Sequence, residues 1–128
     1  MIYIVLNILP IGLATLFGLA LGWGYARLAG VERLRASVVI VAALGMFWLA
    51  SILAGALILA PDKASPWVMA TASAVVIWAG FALPIVILTQ QFRSMPLRSI
   101  LGDCAFWLAA MLGQAVLMKL IGLVPPPA

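Results

Sequence analysis

The chain has 128 residues, of which 67% are hydrophobic and 8% are charged, and its mean hydropathy is +1.29. This balance excludes a water-soluble globule and indicates a membrane protein. With no histidine and with Cys104 as its one cysteine, the chain cannot by itself build a His or Cys metal site, a haem ligand pair or an internal disulfide. We therefore expect no metal, no cofactor and no catalytic residue set. The small, scattered net charge of +4 argues against nucleic acid as a partner.

Three polar clusters, at residues 27–35, 61–66 and 90–98, divide the chain into four apolar segments. Each segment can cross a bilayer, because a helix rising 1.5 Å per residue needs about 20 residues for a core of about 30 Å. Open strands are excluded, since lipid offers no partner for unpaired backbone groups. The first segment lacks a basic start and is too long for a secretory signal, so we expect it to be retained. The sequence predicts one all-α domain over residues 1–128, a bundle of four transmembrane helices at about 2–25, 36–60, 67–89 and 100–123.

The distribution of basic residues predicts the orientation of this bundle. The connections at 26–35 and 90–99 carry five arginines, whereas the opposite side has only Lys63 and Lys119. Lys and Arg accumulate in the cytoplasmic loops of membrane proteins. We therefore expect both connections to be cytoplasmic and both termini to lie on the outer, periplasmic side.

Small residues recur every four positions on the first and the fourth span. Such stripes let helix backbones approach closely, so we expect both stripes to face the inside of a compact bundle. The residues are Ala14, Gly18 and Gly22 on the first span and Ala105, Ala109 and Gly113 on the fourth.

Polar and aromatic residues inside the spans are the candidates for a site. Because the first and fourth spans run in opposite directions, Tyr25 and Asp103 should lie near one membrane edge, and Asn7 and Gln114 in the other half. Asp103 and Gln114 are three helical turns apart and share an inward face with Trp107. We expect Asp103 to pair with Tyr25 or a nearby arginine, either as a structural anchor or as a proton or ion site. The candidate intramembrane site comprises Asn7, Tyr25, Trp78, Asp103, Trp107 and Gln114.

Pro84 adds one more feature to the third span. It has no N–H, so the Gly80 carbonyl near the middle of the membrane is available to another donor or to water. A solute path along the fourth span would be expected to run past Trp78 and this carbonyl.

The run WAGFALP at residues 78–84, followed by an arginine-bearing turn and by Asp103 ahead of FWL at 106–108, resembles the small bacterial membrane proteins of domain of unknown function 1761. Asn7 and the segment from Gly22 to Tyr25 also stand where that family has an early Asn and a Gly-aromatic-Tyr segment. The chain departs from the family pattern at residues 26–30, where a Ser-Pro and a Phe would be expected. The resemblance implies four helices, a bacterial inner membrane and an unassigned role.

We predict a small multi-pass protein of a bacterial inner membrane that is not an enzyme and acts as an accessory or transport-related protein. The alternative is a channel or carrier for ions or small solutes that uses the polar face of the fourth span. A third reading is an interfacial enzyme acting on a lipid, with Asp103, Tyr25 and Arg98 as its candidate cluster; this cluster lacks a second carboxylate or a histidine. The expected partners are the lipid bilayer and either a second copy of the chain or a larger membrane complex.

Overall fold

The computed structural model describes residues 2–127, so Met1 and Ala128 of the predicted domain lie outside the described residues. Residues 2–127 are helical with short connections and contain no strand. Four helices are long and apolar enough to cross a membrane, which confirms the predicted all-α architecture of four spans. These spans are Ile8–Leu28, Ala36–Leu59, Pro66–Phe92 and Leu97–Ile121.

The first predicted span is divided at Asn7. A short helix, Ile2–Leu6, precedes Asn7, whose backbone leaves the helical region with φ −113° and ψ 28°. Pro10 explains the interruption, because it has no N–H for the Leu6 carbonyl and its ring crowds that carbonyl. The span then continues to Leu28, beyond the predicted end at residue 25. The following turn passes through Gly30 at φ +93°, which a residue without Cβ adopts without strain.

The third span is continuous but changes its hydrogen-bond pattern at its centre. It consists of an α-helix at Pro66–Ile77, a π-helical turn at Trp78–Ala82 and an α-helix at Leu83–Phe92. In the π-helical turn the Leu83 N–H donates to the Trp78 carbonyl, five residues earlier. Pro84, which follows Leu83, has no N–H and cannot form the α-helical hydrogen bond to the Gly80 carbonyl. Because the α-helical pattern is interrupted at this point, the helix can accommodate the one extra residue of a π-helical turn.

The apolar core lies in the half of the bundle that contains Asn7. The fourth span is central, because it contacts each of the other three spans and forms the most extensive contacts of both the first and the third span. All four spans contribute small or flexible side chains, which allow the helices to pack closely. The buried core consists of Ile11, Ala14, Ala50, Leu53, Ala54, Ala74, Met111, Ala115 and Met118.

The second span separates from the bundle at the opposite end. Residues 35–41 are all exposed, whereas Met46, Ala50 and Leu53 further along the same helix are buried. The separation leaves a groove of about 630 Å³ against the first span, here called the first-span groove, and one of about 740 Å³ against the third, the third-span groove. Trp107 of the fourth span lines both grooves. The bundle is therefore closed at one end and splayed at the other.

The two predicted small-residue stripes differ in outcome. Gly18 on the first span is buried, and a Cβ added there would lie 2.8 Å from the Met46 sulfur, so this stripe faces the bundle as expected. For the fourth span the prediction is correct at Gly113, where an added Cβ would overlap the Phe17 ring, and wrong at Ala105 and Ala109, which are exposed. The fourth span is rotated so that the Gln114 amide is inside, since burying the amide among backbone acceptors outweighs burying two methyl groups.

We expect Gly113→Ala to destabilise the bundle relative to Gly12→Ala. A Cβ on Gly113 would overlap the ring of Phe17, whereas a Cβ on Gly12 would meet no heavy atom within 4 Å outside its own helix. Both substitutions gain the same helix propensity, so the difference isolates the overlap, which should lower the free energy of unfolding by about 1 to 3 kcal/mol. Unfolding in mixed micelles, followed by circular dichroism, measures it. Equal stability of the two variants would contradict the described contact.

Candidate functional site

Three spans meet at Asp103, near the splayed end of the bundle. The Tyr25 hydroxyl donates to Asp103 Oδ1 at 2.5 Å, and the Gln90 side-chain amide donates to Asp103 Oδ2 at 2.8 Å. Tyr25 lies in the last turn of the first span and Gln90 in the last turns of the third, so their antiparallel order brings both to the start of the fourth. The predicted pairing of Asp103 with Tyr25 is confirmed.

Gln90 is the member of this cluster that the sequence analysis did not single out. Gln90 lies at the edge of the arginine-bearing polar cluster at residues 90–98, and the arginines were the expected charged partners of the Asp103 carboxylate. In the structure both donors to Asp103 are neutral, and within residues 2–127 no ion pair is formed by Asp103. The sequence did contain one indication of this contact. The third and fourth spans are antiparallel, so Gln90 near the end of one and Asp103 near the start of the other lie at a similar depth in the membrane.

An aromatic series connects Asp103 with the two grooves. The Tyr25 ring stacks on Phe106 with centroids 4.7 Å apart, and Phe106 meets Trp107 edge to face at 4.9 Å. These contacts fix the direction of the Tyr25 hydroxyl, because a stacked ring cannot rotate freely. Asp103 lines the first-span groove. A carboxylate has about four acceptor positions, so two remain for a ligand.

Gln114 joins three spans in the middle of the bundle. The side chain is fully buried, and its amide nitrogen donates to the Ala14 carbonyl at 3.1 Å and to the Met46 carbonyl at 3.4 Å. Its Oε1 is buried and has no hydrogen-bond partner within residues 2–127. Gln114 was predicted to lie in one layer with Asn7, but in the structure it forms a separate central layer. The reason is that both of its acceptors are backbone carbonyls near Gly18, whose missing Cβ leaves room for the Gln114 amide.

Asn7 holds the segment that follows the fourth span. Its Oδ1 accepts from the Val124 N–H at 2.6 Å, and its amide nitrogen donates to the Val124 carbonyl at 2.8 Å and to the Tyr3 carbonyl at 2.8 Å. Gly122, at φ +100°, ends the helix and turns the chain toward Asn7. Asn7 is therefore a fully engaged structural residue, and the extended tail is tied to the first span.

Trp78 bonds to the fourth span. Its indole N–H donates to the Cys104 carbonyl at 2.9 Å. Gly80, two residues further, is exposed on the outside of the bundle. Neither Trp78 nor Gly80 lines the two grooves, so the path that the sequence analysis considered past these residues does not coincide with either groove. The indole acts as a crosslink at the start of the π-helical turn.

Possible metal ligands are sparse in this arrangement. Within residues 2–127, no three side chains of His, Cys, Asp or Glu lie together. Cys104 is a buried free thiol beside Asp103 in sequence. The site therefore offers one carboxylate, which can accept hydrogen bonds from a group in the first-span groove or form an ion pair with a cation there.

Comparison with known proteins gives no relative: no family model matches the chain, and no curated protein or solved structure matches it.

We expect Asp103→Leu to destabilise the bundle more than Asp103→Asn. Asparagine keeps an oxygen for the Tyr25 hydroxyl, and the Gln90 amide can turn to accept from the new amide nitrogen. Leucine leaves both donors without an acceptor, which costs about 1 to 3 kcal/mol. A double-mutant cycle with Tyr25→Phe, measured by unfolding in mixed micelles, should give a coupling energy for Tyr25 and Asp103 above about 0.5 kcal/mol. Additive effects of the two substitutions would argue against a stabilising bond.

Proposed function

We propose that the chain is a non-enzymatic, multi-pass protein of a bacterial cell membrane that serves as an accessory subunit or scaffold. One observation carries the proposal: several polar side chains inside the bundle bond to a side chain or a backbone atom of another segment. Asn7, Trp78 and Asp103 each connect two or more segments in this way. Residues used as crosslinks hold a shape, whereas a conduction path needs polar groups that face a water-filled cavity.

The interior between the polar layers supports the same proposal. Trp107 and Met111 occupy the turns of the fourth span between Asp103 and Gln114, and Met111 is buried in the core. Gln114 lines neither groove, and the walls of both grooves are mostly apolar side chains. An ordered water needs two to four polar partners. The polar lining is confined to the Tyr25 and Asp103 pair at one end of the first-span groove and to Ser37 in the third-span groove, so neither groove carries a continuous row of such partners.

The relationship to domain of unknown function 1761 is part of the proposal. What supports it is that the residues carrying the resemblance have defined roles in this fold. Asn7, Tyr25, Trp78 and Asp103 all form hydrogen bonds between segments. The WAGFALP run contains the whole π-helical turn and the proline that follows it. A motif that determines helix geometry and helix pairing is consistent with a family defined by its architecture.

Non-catalytic action is favoured by the chemistry of the Asp103 cluster. Tyr25 and Gln90 are neutral donors to the carboxylate, and neither a second carboxylate nor a histidine accompanies it, because Asp103 is the one Asp or Glu of the four spans and the sequence has no histidine. General acid and base catalysis requires a group that can exchange protons with a substrate at hydrogen-bond distance, commonly with a second group to complete the cycle. The cluster has one candidate group, so anchoring is the better assignment.

For the orientation, we propose that the connections at 26–35 and 90–99 face the cytoplasm and that both ends of the chain face outward. The five arginines of these connections support this arrangement.

Labelling of single cysteines tests the orientation. In a Cys104→Ala background, a membrane-impermeant maleimide applied to intact cells should label Ala64→Cys and should not label Gln91→Cys. Both positions are exposed, and neither side chain makes a hydrogen bond, so the substitutions should preserve the fold. Labelling after permeabilisation provides the control for reactivity. The reverse pattern would contradict the orientation, and equal labelling would indicate that the chain inserts in both directions.

A carrier is the second candidate, because Gln114 Oε1 is the one buried side-chain acceptor within residues 2–127 that has no hydrogen-bond partner and could therefore bind a passing ion or water. Proteoliposome flux separates the two candidates. The accessory role predicts no flux of protons, alkali cations or small organic cations above empty liposomes, with wild type and Gln114→Leu alike. Flux through the wild-type protein that Gln114→Leu reduces by about tenfold or more would overturn the accessory role in favour of the carrier. Thr71→Val, whose hydroxyl bonds only to its own helix, is the matched control.

A further inference from the structure

The first-span groove has the shape and charge of a lipid site, and we propose that it binds one phospholipid with a primary ammonium headgroup, that is, of the phosphatidylethanolamine type. The ammonium group lies at Asp103 and one acyl chain lies along the groove. This assignment goes beyond the accessory role, because it names a ligand and gives Asp103 a recognition function in addition to its structural one.

The groove is suited to an acyl chain. It has a volume of about 630 Å³, and its walls are apolar side chains of the first and second spans with Phe106 and Trp107 of the fourth. Along the first span it extends from Gly18 to Ala26, which corresponds to about 12 Å at 1.5 Å per residue. Gly22, which carries no side chain, lies in its wall, and the exposed residues 35–41 of the second span stand away from the bundle at this end.

Charge identifies the headgroup. Asp103 is reached from the groove, and the two groups that bond to it, Tyr25 and Gln90, are neutral. Neither partner supplies a positive charge to the Asp103 carboxyl group, no cation from residues 2–127 pairs with it, and two acceptor positions remain for a ligand. A primary ammonium has three N–H donors and a positive charge, so it complements both features.

The rim of the groove offers a position for the phosphate. Trp23 lines the groove, and the Arg27 guanidinium lies 5.4 Å from the centre of the Trp23 ring. Arginine binds phosphate oxygens through paired N–H donors. A headgroup that carries both an ammonium and a phosphate therefore matches Asp103 and Arg27 together. A choline headgroup has no N–H to donate, and a glycerol headgroup has no positive charge.

The third-span groove provides an internal comparison. It is larger, about 740 Å³, and is lined by apolar residues together with Ser37, with no charged side chain. We expect it to accept acyl chains of any phospholipid without selectivity. Headgroup selectivity should therefore depend on Asp103 alone among the residues of the two grooves.

Native mass spectrometry of the full chain tests this assignment. The protein is purified in detergent and mixed with equal amounts of phosphatidylethanolamine, phosphatidylcholine and phosphatidylglycerol that carry the same acyl chains. We expect one molecule of phosphatidylethanolamine to be retained about tenfold more than either competitor, as a hydrogen bond to a charged group implies. Equal retention of the three lipids would overturn the proposal. A preference for phosphatidylglycerol would also overturn it and would assign the rim arginine as the dominant contact.

Two pairs of variants locate the bound lipid. Asp103→Asn should reduce the preference for phosphatidylethanolamine about tenfold, whereas Asp62→Asn, the same change at an exposed position in the opposite connection, should leave it unchanged. Val39→Trp, which fills the first-span groove, should reduce retention, whereas Leu44→Trp on the outer face of the same helix should not. Circular dichroism confirms that each variant is folded. An unchanged preference in Asp103→Asn or unchanged retention in Val39→Trp would contradict the site.

Discussion

A polar group surrounded by hydrocarbon must find its hydrogen-bond partner within the protein, and this constraint determines how the four spans pack. The fourth span takes part in most of these hydrogen bonds between spans. Asp103 binds side chains of the first and third spans, Gln114 binds carbonyls of the first and second, and the Cys104 carbonyl accepts from Trp78. Apolar contacts in lipid give little orientational preference, so these few directed bonds select one rotation of each helix. The exposed positions of Ala105 and Ala109 follow from that selection.

The hydrogen bonds that join the second span to its neighbours are not distributed evenly along its length. For this reason the bundle is closely packed at one end and splayed at the other. The second span has its buried residues, including Ser51 and Leu53, in the half that also contains Asn7. At the other end no side chain of residues 36–45 forms a hydrogen bond to another span among the described residues. Nothing directional holds that end of the second span against the first and third. The two grooves are the result, and they place apolar cavities next to the one carboxylate in the spans.

The sequence was sufficient for the architecture because hydrophobic length is a one-dimensional property. Four apolar segments were predicted, and the helices begin and end within a few residues of the predicted bounds, apart from the interruption at Asn7. Pairing of Tyr25 with Asp103 was also predictable, since antiparallel order equalises their depth. The rotation of each helix about its own axis was not predictable. Faces rich in Ala look alike in sequence, and the hydrogen-bond acceptors on neighbouring helices, which decide the face that turns inward, are not visible there. The bond between Asn7 and Val124 was hidden for a similar reason: its second partner is a backbone group.

The Asn7 and Val124 bond also has a consequence for biosynthesis. The two residues are 117 positions apart; Asn7 lies at the interruption of the first span, and Val124 follows the end of the fourth span. At a synthesis rate of 5 to 20 residues per second, Asn7 emerges roughly 6 to 23 seconds before Val124 exists. During this interval its amide can bond only locally, and the Tyr3 carbonyl at 2.8 Å supplies an acceptor in the same short helix. The nascent first span can therefore enter the bilayer with the Asn7 side-chain amide already bonded to the Tyr3 carbonyl. The bonds between Asn7 and Val124 form once the segment after the fourth span has been synthesised.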